Sequence, residues 1–393
     1  MILFEIKLLN LPENHFLTNM DIPFVFGKIA DGKDFTNRTD ETRRLTDNFR
    51  SLISTVIISP RRWGKTSLVN HALKSLKADK DYFVCNVDMF NCRTEAQFYQ
   101  VYANAVLRAS CTKIEEFIET AKKYVGSFGP KLSLSDNAMQ YELSLGIEFK
   151  DRHYSYDEIL NLPQKIANDR GRKFIICIDE FQNVASYDDS LGFQRKLRAH
   201  WQNHNKVGYC LFGSKRHMLM DIFNNYQMPF YKFGDIMFLE KICKSEWVSF
   251  IVERFRETGK EIGEDCAGLI TEKVECHPYY VQQLAQLVWL RTDKVCDERV
   301  VEEAFFSLVG QLSLLFSNIT DSLKPRQIGF LKAVATGERN FTSGEVLRKY
   351  GLGTSANVKN LRKALMDKDI IDVNGDTTSV QDPVFAFWVM QNL

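Results

Sequence analysis

The sequence predicts an α/β fold in which a parallel sheet is followed by a helical unit and by a small C-terminal unit of helices and a hairpin. Three observations support this prediction. Up to about residue 240, apolar runs typical of strands alternate with helical patterns, as in a parallel sheet. From about residue 244, apolar residues recur only at helical spacing. The last part of the chain combines helical patterns with a hairpin signal.

The composition is that of an ordinary soluble protein and excludes several functional classes. The 393 residues suit two or three domains with ample core. A formal net charge of +1 gives no overall attraction to nucleic acid or membranes, so such binding would need a local patch. The nine cysteines contain no Cys-x-x-Cys pair, which indicates reduced thiols rather than a zinc site. We find no signal peptide and no span of membrane length, and therefore expect a cytoplasmic protein without a membrane partner.

The segment from Val56 to Ser67 has the pattern of a phosphate-binding loop, or P-loop. An apolar strand leads into a turn, then Gly64-Lys65-Thr66, then a helical pattern. The first amides of a helix lack intrahelical partners and its dipole makes that end electropositive, so it attracts phosphate. Lys65 is expected to contact the β- and γ-phosphates, and Thr66 to bind Mg²⁺. The candidate phosphate-binding residues are Ser59, Pro60, Arg61, Arg62, Trp63, Gly64, Lys65, Thr66 and Ser67.

One position departs from the P-loop pattern, because Ser59 stands where the pattern has its first glycine. This substitution is expected to have little effect if Ser59 keeps a negative φ. The tripeptide Gly-Lys-Thr alone also fits a plain helix N-terminus with an exposed lysine. The assignment therefore depends on a second half of the site further along the chain.

Asp179 and Glu180 supply that second half, directly after the apolar run Phe174 to Ile178. Five apolar residues in a row predict a strand buried on both faces. Carboxylates at the carboxyl end of such a strand lie where parallel sheets bind ligands, and burying them is unfavourable unless metal or water engages them. We expect Asp179 to hold Mg²⁺ and Glu180 to act as general base towards water. The alternative is a strand that simply ends in polar residues.

Other residues near these two motifs are weaker candidates. Ser214 ends the strand-like run at 207–214 and Arg216 lies just beyond it, where a polar group can sense a γ-phosphate. Phe35 and Arg38 precede the P-loop strand, in a segment that folds over the adenine in many P-loop ATPases. Arg198 is a further candidate for a phosphate-binding or intersubunit arginine. For each of these residues, a solvated surface position is the alternative.

The last part of the chain predicts a winged helix. Apolar spacing indicates three helices, of which the second begins at Ser343 and the third at Thr354 or Ser355. A hairpin signal follows, with its turn at Asn374-Gly375. A lid or protein-docking module with a solvated basic face is the alternative to DNA binding. The side chains of the third helix expected to face DNA are Asn357, Lys359, Asn360, Arg362 and Lys363.

Together the motifs resemble those of the archaeal-type P-loop ATPases, a family of the STAND branch related to AAA+ proteins. The resemblance runs from about Phe24 to Trp388. It implies a sheet with a central P-loop strand, a helical lid with Pro278 at the adenine, and a winged helix packed back on the nucleotide domain. Relatives often have an arginine before the fifth strand, where this chain has Lys232-Phe233-Gly234, so the arginine finger is unidentified. The motifs are Phe35 to Arg38, Ser59 to Ser67, Ile178 to Gln182, Gly213 to His217, His277 to Tyr280 and Asp382 to Trp388.

This resemblance divides the chain into four parts. Residues 1–20 form an N-terminal extension, and residues 21–242 form the P-loop ATPase core with a β-hairpin insertion at about 130–150. Residues 243–318 form the helical lid, and residues 319–393 form the winged-helix domain.

The residues and the resemblance predict an Mg²⁺-dependent ATPase that acts as a nucleotide-controlled switch, with ATP, ADP and Mg²⁺ as ligands. Lys65 and Glu180 are the predicted catalytic residues. The alternative is a nucleotide-gated protein that binds duplex DNA and hydrolyses little ATP. An origin-recognition-like loader shares the plan, but we find no clear sensor arginine in the lid helices. Beyond ATP and candidate duplex DNA, the expected partners are an unidentified protein and, depending on nucleotide, a second copy of the chain.

Overall fold

The computed structural model describes residues 22–124, 128–134, 143–149 and 156–393. The predicted N-terminal extension, residues 1–20, lies outside the described residues. The described chain contains a five-stranded parallel sheet flanked by helices, then a helical unit, then a C-terminal unit of helices and a hairpin. This is the order of parts that the sequence predicts.

The first part of the chain builds the parallel sheet and the helices that cover it. Two short 3₁₀ helices, Gly32–Asp34 and Phe181–Ser186, accompany them. The other elements in chain order are α1 (Thr39–Arg50), β1 (Thr55–Ile58), α2 (Lys65–Lys77), β2 (Tyr82–Asp88), α3 (Glu95–Ser110), α4 (Ile114–Tyr124), β3 (Phe128–Leu134), β4 (Leu143–Phe149), α5 (Tyr156–Leu160), α6 (Leu162–Arg170), β5 (Lys173–Asp179), α7 (Ser190–Trp201), β6 (Val207–Phe212), α8 (Arg216–Asn224) and β7 (Asp235–Phe238).

The strands of the sheet follow the order β2-β5-β6-β1-β7, and every neighbouring pair is parallel. The P-loop strand β1 lies between β6 and β7, with Thr55 opposite Cys210 on one side and Asp235 on the other. The expected central position is wrong in detail, since β1 is one place from the edge and β6 is central. β6 lies between β1 and β5 and is parallel to both. The carboxyl ends of these three strands therefore lie side by side at one edge of the sheet.

The sheet is buried on both faces, as the apolar run in β5 predicts. Phe174 to Ile178 are all buried, and successive side chains point to opposite faces. One face packs against aromatic side chains of α3 and α7, including Phe98 and Phe193. The other face packs against α1 and α2, including Leu45 and Leu68. Burying each such side chain contributes about 1.5–3 kcal/mol, so both layers help to fix the strand ends that carry the candidate site.

The predicted β-hairpin insertion is present between α4 and α5. β3 and β4 pair antiparallel, with Phe128 opposite Phe149 and Leu134 opposite Leu143. The strands therefore begin and end close to the predicted bounds. Residues 135 and 141–142, which the sequence also assigns to the hairpin, lie outside the described residues.

The second part of the chain is helical, as predicted. Trp247 and Phe255, which recur at helical spacing, are buried in its core. A short parallel ladder between β8 and β9, which the sequence does not predict, closes one side of the unit. Its elements are α9 (Lys244–Glu257), β8 (Glu261–Ile262), α10 (Glu264–Lys273), α11 (Pro278–Arg291), β9 (Val295–Cys296) and α12 (Glu298–Asp321).

Helix α12 corrects the expectation that no segment approaches membrane length. It has 24 residues and an apolar window with a mean hydropathy of 1.4, which is long and apolar enough to cross a membrane by length and composition alone. Its inner side, however, packs into the core through Val301, Phe305, Leu308 and Phe316. Core helices of soluble proteins meet the same criteria, and these buried side chains place one side of α12 in the hydrophobic core.

The third part of the chain has the predicted helix and hairpin order. Ser343 caps α14 by accepting a hydrogen bond from the amide of Val346, and Thr354 precedes α15, so both predicted helix starts are confirmed. The elements are α13 (Pro325–Ala335), α14 (Gly344–Lys349), α15 (Ser355–Asp367), β10 (Ile371–Asn374), β11 (Thr377–Val380) and α16 (Pro383–Asn392).

The turn of the C-terminal hairpin lies one residue later than predicted. Asn374 pairs with Thr377, so the two turn residues are Gly375 and Asp376 rather than Asn374 and Gly375. Gly375 has a φ of 58°, a left-handed conformation that glycine adopts without strain. The hairpin forms the wing of the C-terminal unit.

The helical lid and the winged helix share one hydrophobic core. Phe316 of α12 packs on Phe385 of α16 with ring centroids 5.0 Å apart. Trp388 Nε1 donates a hydrogen bond to Ser313 Oγ at 2.9 Å. The proposed boundary between residues 318 and 319 therefore falls inside α12, a continuous helix that contributes to both units.

Candidate functional site

The loop after β1 leads into a helix N-terminus with open amides. Helix α2 begins at Lys65, and Gly64 before it has a φ of 86°. This left-handed conformation suits glycine, and Arg62 also has a positive φ of 63°, so the loop turns sharply twice. Among the described residues, no side chain caps this helix. Its first amides and its dipole therefore favour an anion at this point.

Lys65 folds back onto the loop. Its Nζ donates to the carbonyl of Pro60 at 2.7 Å and to the carbonyl and Oγ of Ser59 at 3.2 Å each. Burial lowers the pKa of Lys65 to about 8, although the charges of Asp179 and Glu180 act in the opposite direction. Because neutral oxygens hold the ammonium group, a phosphate would give it a better hydrogen-bond partner than it has now.

Ser59 fits the place where P-loops have glycine. It is 1% exposed and is not among the residues with a positive φ. Its hydroxyl donates to the carbonyl of Pro60 at 3.2 Å and accepts from Lys65. The serine therefore brings no backbone strain and adds an oxygen beneath the lysine.

Thr66 and Asp179 connect the two halves of the site. Thr66 Oγ1 donates to Asp179 Oδ2 at 3.2 Å, and the amide of Glu180 donates to Asp179 Oδ1 at 2.8 Å. Burial raises the pKa of Asp179 to about 6, and the neighbouring charge of Glu180 acts in the same direction. The direct contact between Thr66 and Asp179 confirms that the P-loop and the end of β5 meet.

The oxygens of Thr66 and Asp179 are of the type that Mg²⁺ prefers. This ion commonly binds through one or two protein oxygens together with substrate phosphates and water. In the part of the chain that the structure describes, no group of three or more His, Cys, Asp and Glu side chains could hold a metal ion. One hydroxyl and one carboxylate fit this mode of binding, in which phosphates and water supply the other ligands.

Glu180 is held in one orientation at the edge of the sheet. Its Oε2 accepts from Ser214 Oγ at 2.9 Å and from the Ser214 amide at 3.4 Å. Gln182 Nε2 donates to the same oxygen. Glu180 also has a φ of 54°, a left-handed conformation that is unfavourable for a residue with a side chain. These contacts offset the strain and fix the carboxylate beside Asp179.

Gly213 makes room for Gln182. A Cβ atom at position 213 would collide with Gln182 Oε1 and would lie 3.2 Å from Glu180 Cα. Gln182 is 1% exposed, and its Oε1 has no hydrogen-bond partner among the described residues. A side chain at position 213 would therefore displace the glutamine that orients Glu180.

Lys65, Thr66, Asp179, Glu180 and Ser214 line one cavity of about 530 Å³ at the carboxyl ends of β1, β5 and β6. The segment 25–38 and the start of α11 complete its wall. Its size and its mixture of charged and aromatic side chains suit a ligand of nucleotide dimensions. The predicted site residues that line the cavity are Phe35, Arg38, Arg61, Arg62, Trp63, Gly64, Lys65, Thr66, Ser67, Asp179, Glu180, Ser214 and Pro278.

The segment before α1 folds against the P-loop helix, as predicted for Phe35 and Arg38. Phe35 stacks on His71 of α2 with ring centroids 4.3 Å apart and an interplanar angle of 15°. Arg38 is 5% exposed and pairs with Glu41 at 2.8 Å. Its Nη2 is buried without a hydrogen-bond partner among the described residues, so the guanidinium group retains a donor for a ligand in the cavity.

The lid closes the other side of the cavity through the start of α11. Pro278 is the first residue of α11, and Tyr279 follows it in the cavity wall. The guanidinium group of Arg62 lies 4.6 Å from the ring centroid of Tyr279, a cation–π contact between the P-loop and the lid. Phe26 meets the same ring edge-on at 5.7 Å.

Known proteins share the architecture described above. Residues 314–391 match the family described as "Probable winged helix domain". A Walker-type ATPase of Pyrococcus abyssi is similar in structure, with a TM-score of 0.63 and 19% identity over 94% of this chain and 99% of that one. The ORC2 protein of Aeropyrum pernix, in ADPNP–ADP complexes, has a TM-score of 0.54 and 14% identity over 94% and 98%. The sequence has no significant match among curated proteins. This chain has the fold of the Walker-type ATPases.

The Walker-type ATPase fold confirms the predicted α/β class, and the family match confirms the C-terminal winged helix. The match begins at residue 314, inside α12, as the shared core of lid and winged helix leads one to expect. Membership of the STAND branch stays a prediction, because these comparisons do not distinguish it from other branches.

Three residues that the sequence predicts to bind nucleotide do not line the cavity. Ser59 and Pro60 lie beneath Lys65 and contact its ammonium group instead. Arg216 Nη1 donates to Asp372 Oδ2 in the wing at 2.7 Å and does not line the cavity. Because its charge is already paired, the structure assigns Arg216 to the contact with the winged helix rather than to phosphate sensing.

Sequence reasoning missed several residues of the cavity wall. The helical spacing of Trp247 predicts a core position. The side chain is indeed only 1% exposed, but it also lines the cavity. Gln282 of α11 accepts from the Val25 amide and donates to the Asp34 carbonyl, at 3.3 Å each, and so ties the N-terminal segment to the lid. Gln282 and Gln286, one helical turn apart among the apolar residues of α11, were the available signal. Arg198 lies with its guanidinium group 4.9 Å from the Phe233 ring, away from the cavity lining.

The predicted DNA-facing residues of α15 are only partly available to a ligand. Lys359 and Lys363 are exposed, and Lys363 pairs with Asp367 at 2.8 Å. Arg362 differs from the prediction because it is half-buried, with its guanidinium group 5.7 Å from the ring centroid of Phe341. The alkyl and guanidinium groups of Arg362 therefore contribute to packing within the winged helix.

Proposed function

We propose that this chain binds ATP with Mg²⁺ and hydrolyses it to ADP and phosphate. One observation carries the proposal: Thr66 Oγ1 lies 3.2 Å from Asp179 Oδ2, in the same cavity as Lys65 and Glu180. Phosphoryl transfer to water needs a metal site, a phosphate clamp and a proton acceptor in one place. These four side chains are the groups that would supply them.

Lys65 and the open amides of α2 would bind the β- and γ-phosphates. The ammonium group would exchange the neutral oxygens of Ser59 and Pro60 for charged phosphate oxygens, which makes stronger hydrogen bonds. Thr66 and Asp179 would hold Mg²⁺. The bound ion would supply charge neutralisation and orientation of the phosphate oxygens.

Glu180 would accept the proton of the attacking water. Its contacts with Ser214 and Gln182 fall on Oε2, so we assign Oε1 as the oxygen that receives the proton. Fixing one carboxylate oxygen orients the other without a rearrangement during the reaction.

The adenosine part of the nucleotide would lie between the N-terminal segment and the lid. Phe35 and Tyr279 would contact its apolar faces, and Pro278 would lie beside the base. Arg38 would donate its unpartnered Nη2 to the nucleotide. Both walls are joined by Gln282, so nucleotide binding would hold the lid against the P-loop domain.

We further propose that the ATPase works as a slow switch. Ser214 contacts the candidate base Glu180, and Arg216, two residues later, contacts Asp372 in the wing. A rearrangement at the γ-phosphate would therefore reach the winged helix through a segment of three residues. Such two-state coupling between a phosphate site and a docked domain is the basis of nucleotide switches.

The experiment that tests the proposal combines nucleotide binding with phosphate release. Lys65→Ala should abolish Mg-ATP binding in calorimetry, whereas Lys74→Ala, on the exposed side of the same helix, should bind normally. Glu180→Gln should bind ATP but lose phosphate release, with the exposed Glu240→Gln as its control. Normal turnover by Glu180→Gln would contradict the role of the base, and normal binding by Lys65→Ala would contradict the whole site.

A second candidate function is binding of duplex DNA by the winged helix. The observation that favours it is a groove of about 500 Å³ whose lining combines apolar side chains with two cations, Lys324 and Arg326, and three amides, Gln327, Asn357 and Asn360. Cations bind the DNA backbone, and asparagine suits base edges. Exposed Lys359 lies on the same helix, α15.

Duplex binding would be measured by fluorescence anisotropy across a series of salt concentrations. Lys359→Ala with Lys363→Ala should weaken binding and make its salt dependence less steep. Lys80→Ala, an exposed lysine remote from the winged helix, is the control. If the double variant binds as well as the unaltered chain, the exposed face of α15 would instead be assigned to a protein partner.

A further inference from the structure

Helix α12 has an outer face with large exposed apolar side chains. Phe306 is 57% exposed and Leu314 is 75% exposed, although the other side of the helix is buried in the core. Apolar residues grouped on one water-facing helix surface commonly mark a site of protein association. The candidate ATP site lies elsewhere, and none of the residues of this face lines its cavity.

The residues of this outer face are arranged symmetrically about Gly310. At 3.6 residues per turn, positions four, seven and eleven residues before and after Gly310 lie on the same side of the helix. All of them are at least partly exposed. We define the α12 face as Arg299, Glu303, Phe306, Gly310, Leu314, Ser317 and Asp321.

We infer that the α12 face binds a second copy of this chain, with the two α12 helices antiparallel about a two-fold axis at Gly310. A two-fold interface uses the same surface on both copies and must therefore complement itself. The residue types provide this complementarity, because apolar Phe306 and Leu314 stand four residues from Gly310 and the opposite charges of Arg299 and Asp321 stand eleven residues from it. Phe306 packs on Leu314 of the partner subunit, and Arg299 lies opposite Asp321 of the partner subunit.

Gly310 lies where the two helices would come closest. A Cβ atom built at this position meets no atom within 4 Å, so packing inside the described chain does not require glycine there. Glycine destabilises the interior of a helix relative to alanine. At the two-fold axis, glycine allows the two helix backbones to approach closely. Phe306 and Leu314 then lie on either side of the point where the helices cross.

Charge favours the antiparallel arrangement. The side chain of Arg299 is 80% exposed and lies 3.7 Å from the carboxylate of Glu303 in its own helix, and Asp321 is exposed at the other end of the helix. An antiparallel pair brings these opposite charges together at both ends of the interface. A parallel pair would place Arg299 beside its own copy, which is unfavourable.

A lipid bilayer fits the α12 face less well than a second copy. Crossing a membrane would require Val301, Phe305 and Phe316 to leave the core that joins lid and winged helix. The face also has charged residues at both of its ends, whose transfer into hydrocarbon is strongly unfavourable. The inference concerns association of the chain and does not depend on the proposed ATPase activity.

The association is tested by sedimentation equilibrium of the full chain at micromolar concentrations. We expect a dimer whose dissociation constant rises at least about tenfold in Leu314→Lys, because an apolar contact becomes a buried charge. Leu315→Lys is the matched control, since Leu315 is 53% exposed but lies off the α12 face. Circular dichroism of each variant shows whether the fold is retained. A monomeric unaltered chain, or an equal effect of both variants, would overturn the inference.

Two further variants test the antiparallel register. Arg299→Asp should weaken the dimer, and adding Asp321→Arg should restore it, because the double variant exchanges the charges across the interface. Gly310→Cys, with exposed Cys243 changed to Ser, should form an intersubunit disulfide on mild oxidation. Failure of the charge exchange to restore the dimer, or vesicle binding that Leu314→Lys abolishes in a monomeric chain, would refute this arrangement.

Discussion

Arg216 Nη1 lies 2.7 Å from Asp372 Oδ2 and connects the parallel sheet to the wing of the winged helix. Both side chains are largely buried, at 18% and 16% exposure. Ser214, two residues before Arg216, donates to Glu180 at 2.9 Å. One short segment therefore contacts both the candidate general base and the C-terminal domain. The segment from Ser214 to Arg216 therefore links the phosphate site to the winged helix.

Arg216→Ala should release the wing from the sheet. The substitution leaves Asp372 largely buried without its partner, which is expected to weaken the contact by about 1–3 kcal/mol. Hydrogen exchange of residues 371–380 should accelerate, and ADP should dissociate faster because the lid, which shares its core with the winged helix, is then held less firmly. The control is Arg195→Ala, an exposed arginine of α7. Unchanged exchange in the wing would show that other contacts hold it, among them the pair of Lys215 and Asp369 at 3.8 Å.

Gly213→Ala should reduce turnover more than nucleotide binding. The added methyl group displaces Gln182, which donates to Glu180, but it leaves the P-loop untouched. Loss of a group that orients a general base is expected to lower kcat by about tenfold to a hundredfold. Phosphate release and ATP affinity would be measured on the same preparation. Gly263→Ala, where a Cβ meets no atom within 4 Å, controls for the loss of a glycine.

Mg-ATP affinity should depend on pH with two limbs. Below about pH 6 Asp179 is protonated in the nucleotide-free protein and has less affinity for the metal. Above about pH 8 Lys65 loses its proton and no longer offers a charge to the phosphates. Calorimetric titrations from pH 5 to 9 would show an optimum between the two values. Lys65→Arg should lose the alkaline limb alone, because arginine stays protonated throughout this range.

Local sequence patterns predicted the parts of the site that depend on neighbouring residues in the chain. The strand, turn and helix around Lys65 follow from adjacent residues, and so does the buried strand that ends at Asp179. Their meeting follows from the rule that parallel strands carry ligands at their carboxyl ends. The start of α14 at Ser343 was predictable because an N-cap serine bonds to an amide three residues later.

Contacts between distant residues were not predictable from these patterns. Arg216 and Asp372 are 156 positions apart, and the residues around each of them do not indicate which residue it contacts. The assignment of Arg216 to a phosphate was reasonable for a polar residue near a strand end, but docking of the winged helix places a carboxylate there. The helical spacing of Trp247 likewise predicts a core position. Its place in the cavity wall depends on how the lid packs, which local sequence does not show.

Asp179→Asn should stabilise the nucleotide-free protein at neutral pH. An unfolded aspartate has a pKa of about 3.9, whereas burial raises the pKa of Asp179 to about 6 in the folded chain. The folded state therefore favours the protonated form, and stability falls as the pH rises from about 4 to about 6. Above that window the buried carboxylate destabilises the fold by about 1–3 kcal/mol, which asparagine removes.

Thermal unfolding at pH 4 and pH 7.5, with and without Mg-ATP, checks this prediction. Asp179→Asn should raise Tm at pH 7.5 and change it little at pH 4, where the native carboxyl is already protonated. Mg-ATP should raise the Tm of the unaltered chain more than that of the variant, because the variant lacks the carboxylate that would hold the metal. Asp188→Asn, an exposed aspartate near the same edge, should change neither value. A lower Tm at pH 7.5 would mean that the hydrogen bonds of Asp179 outweigh its burial.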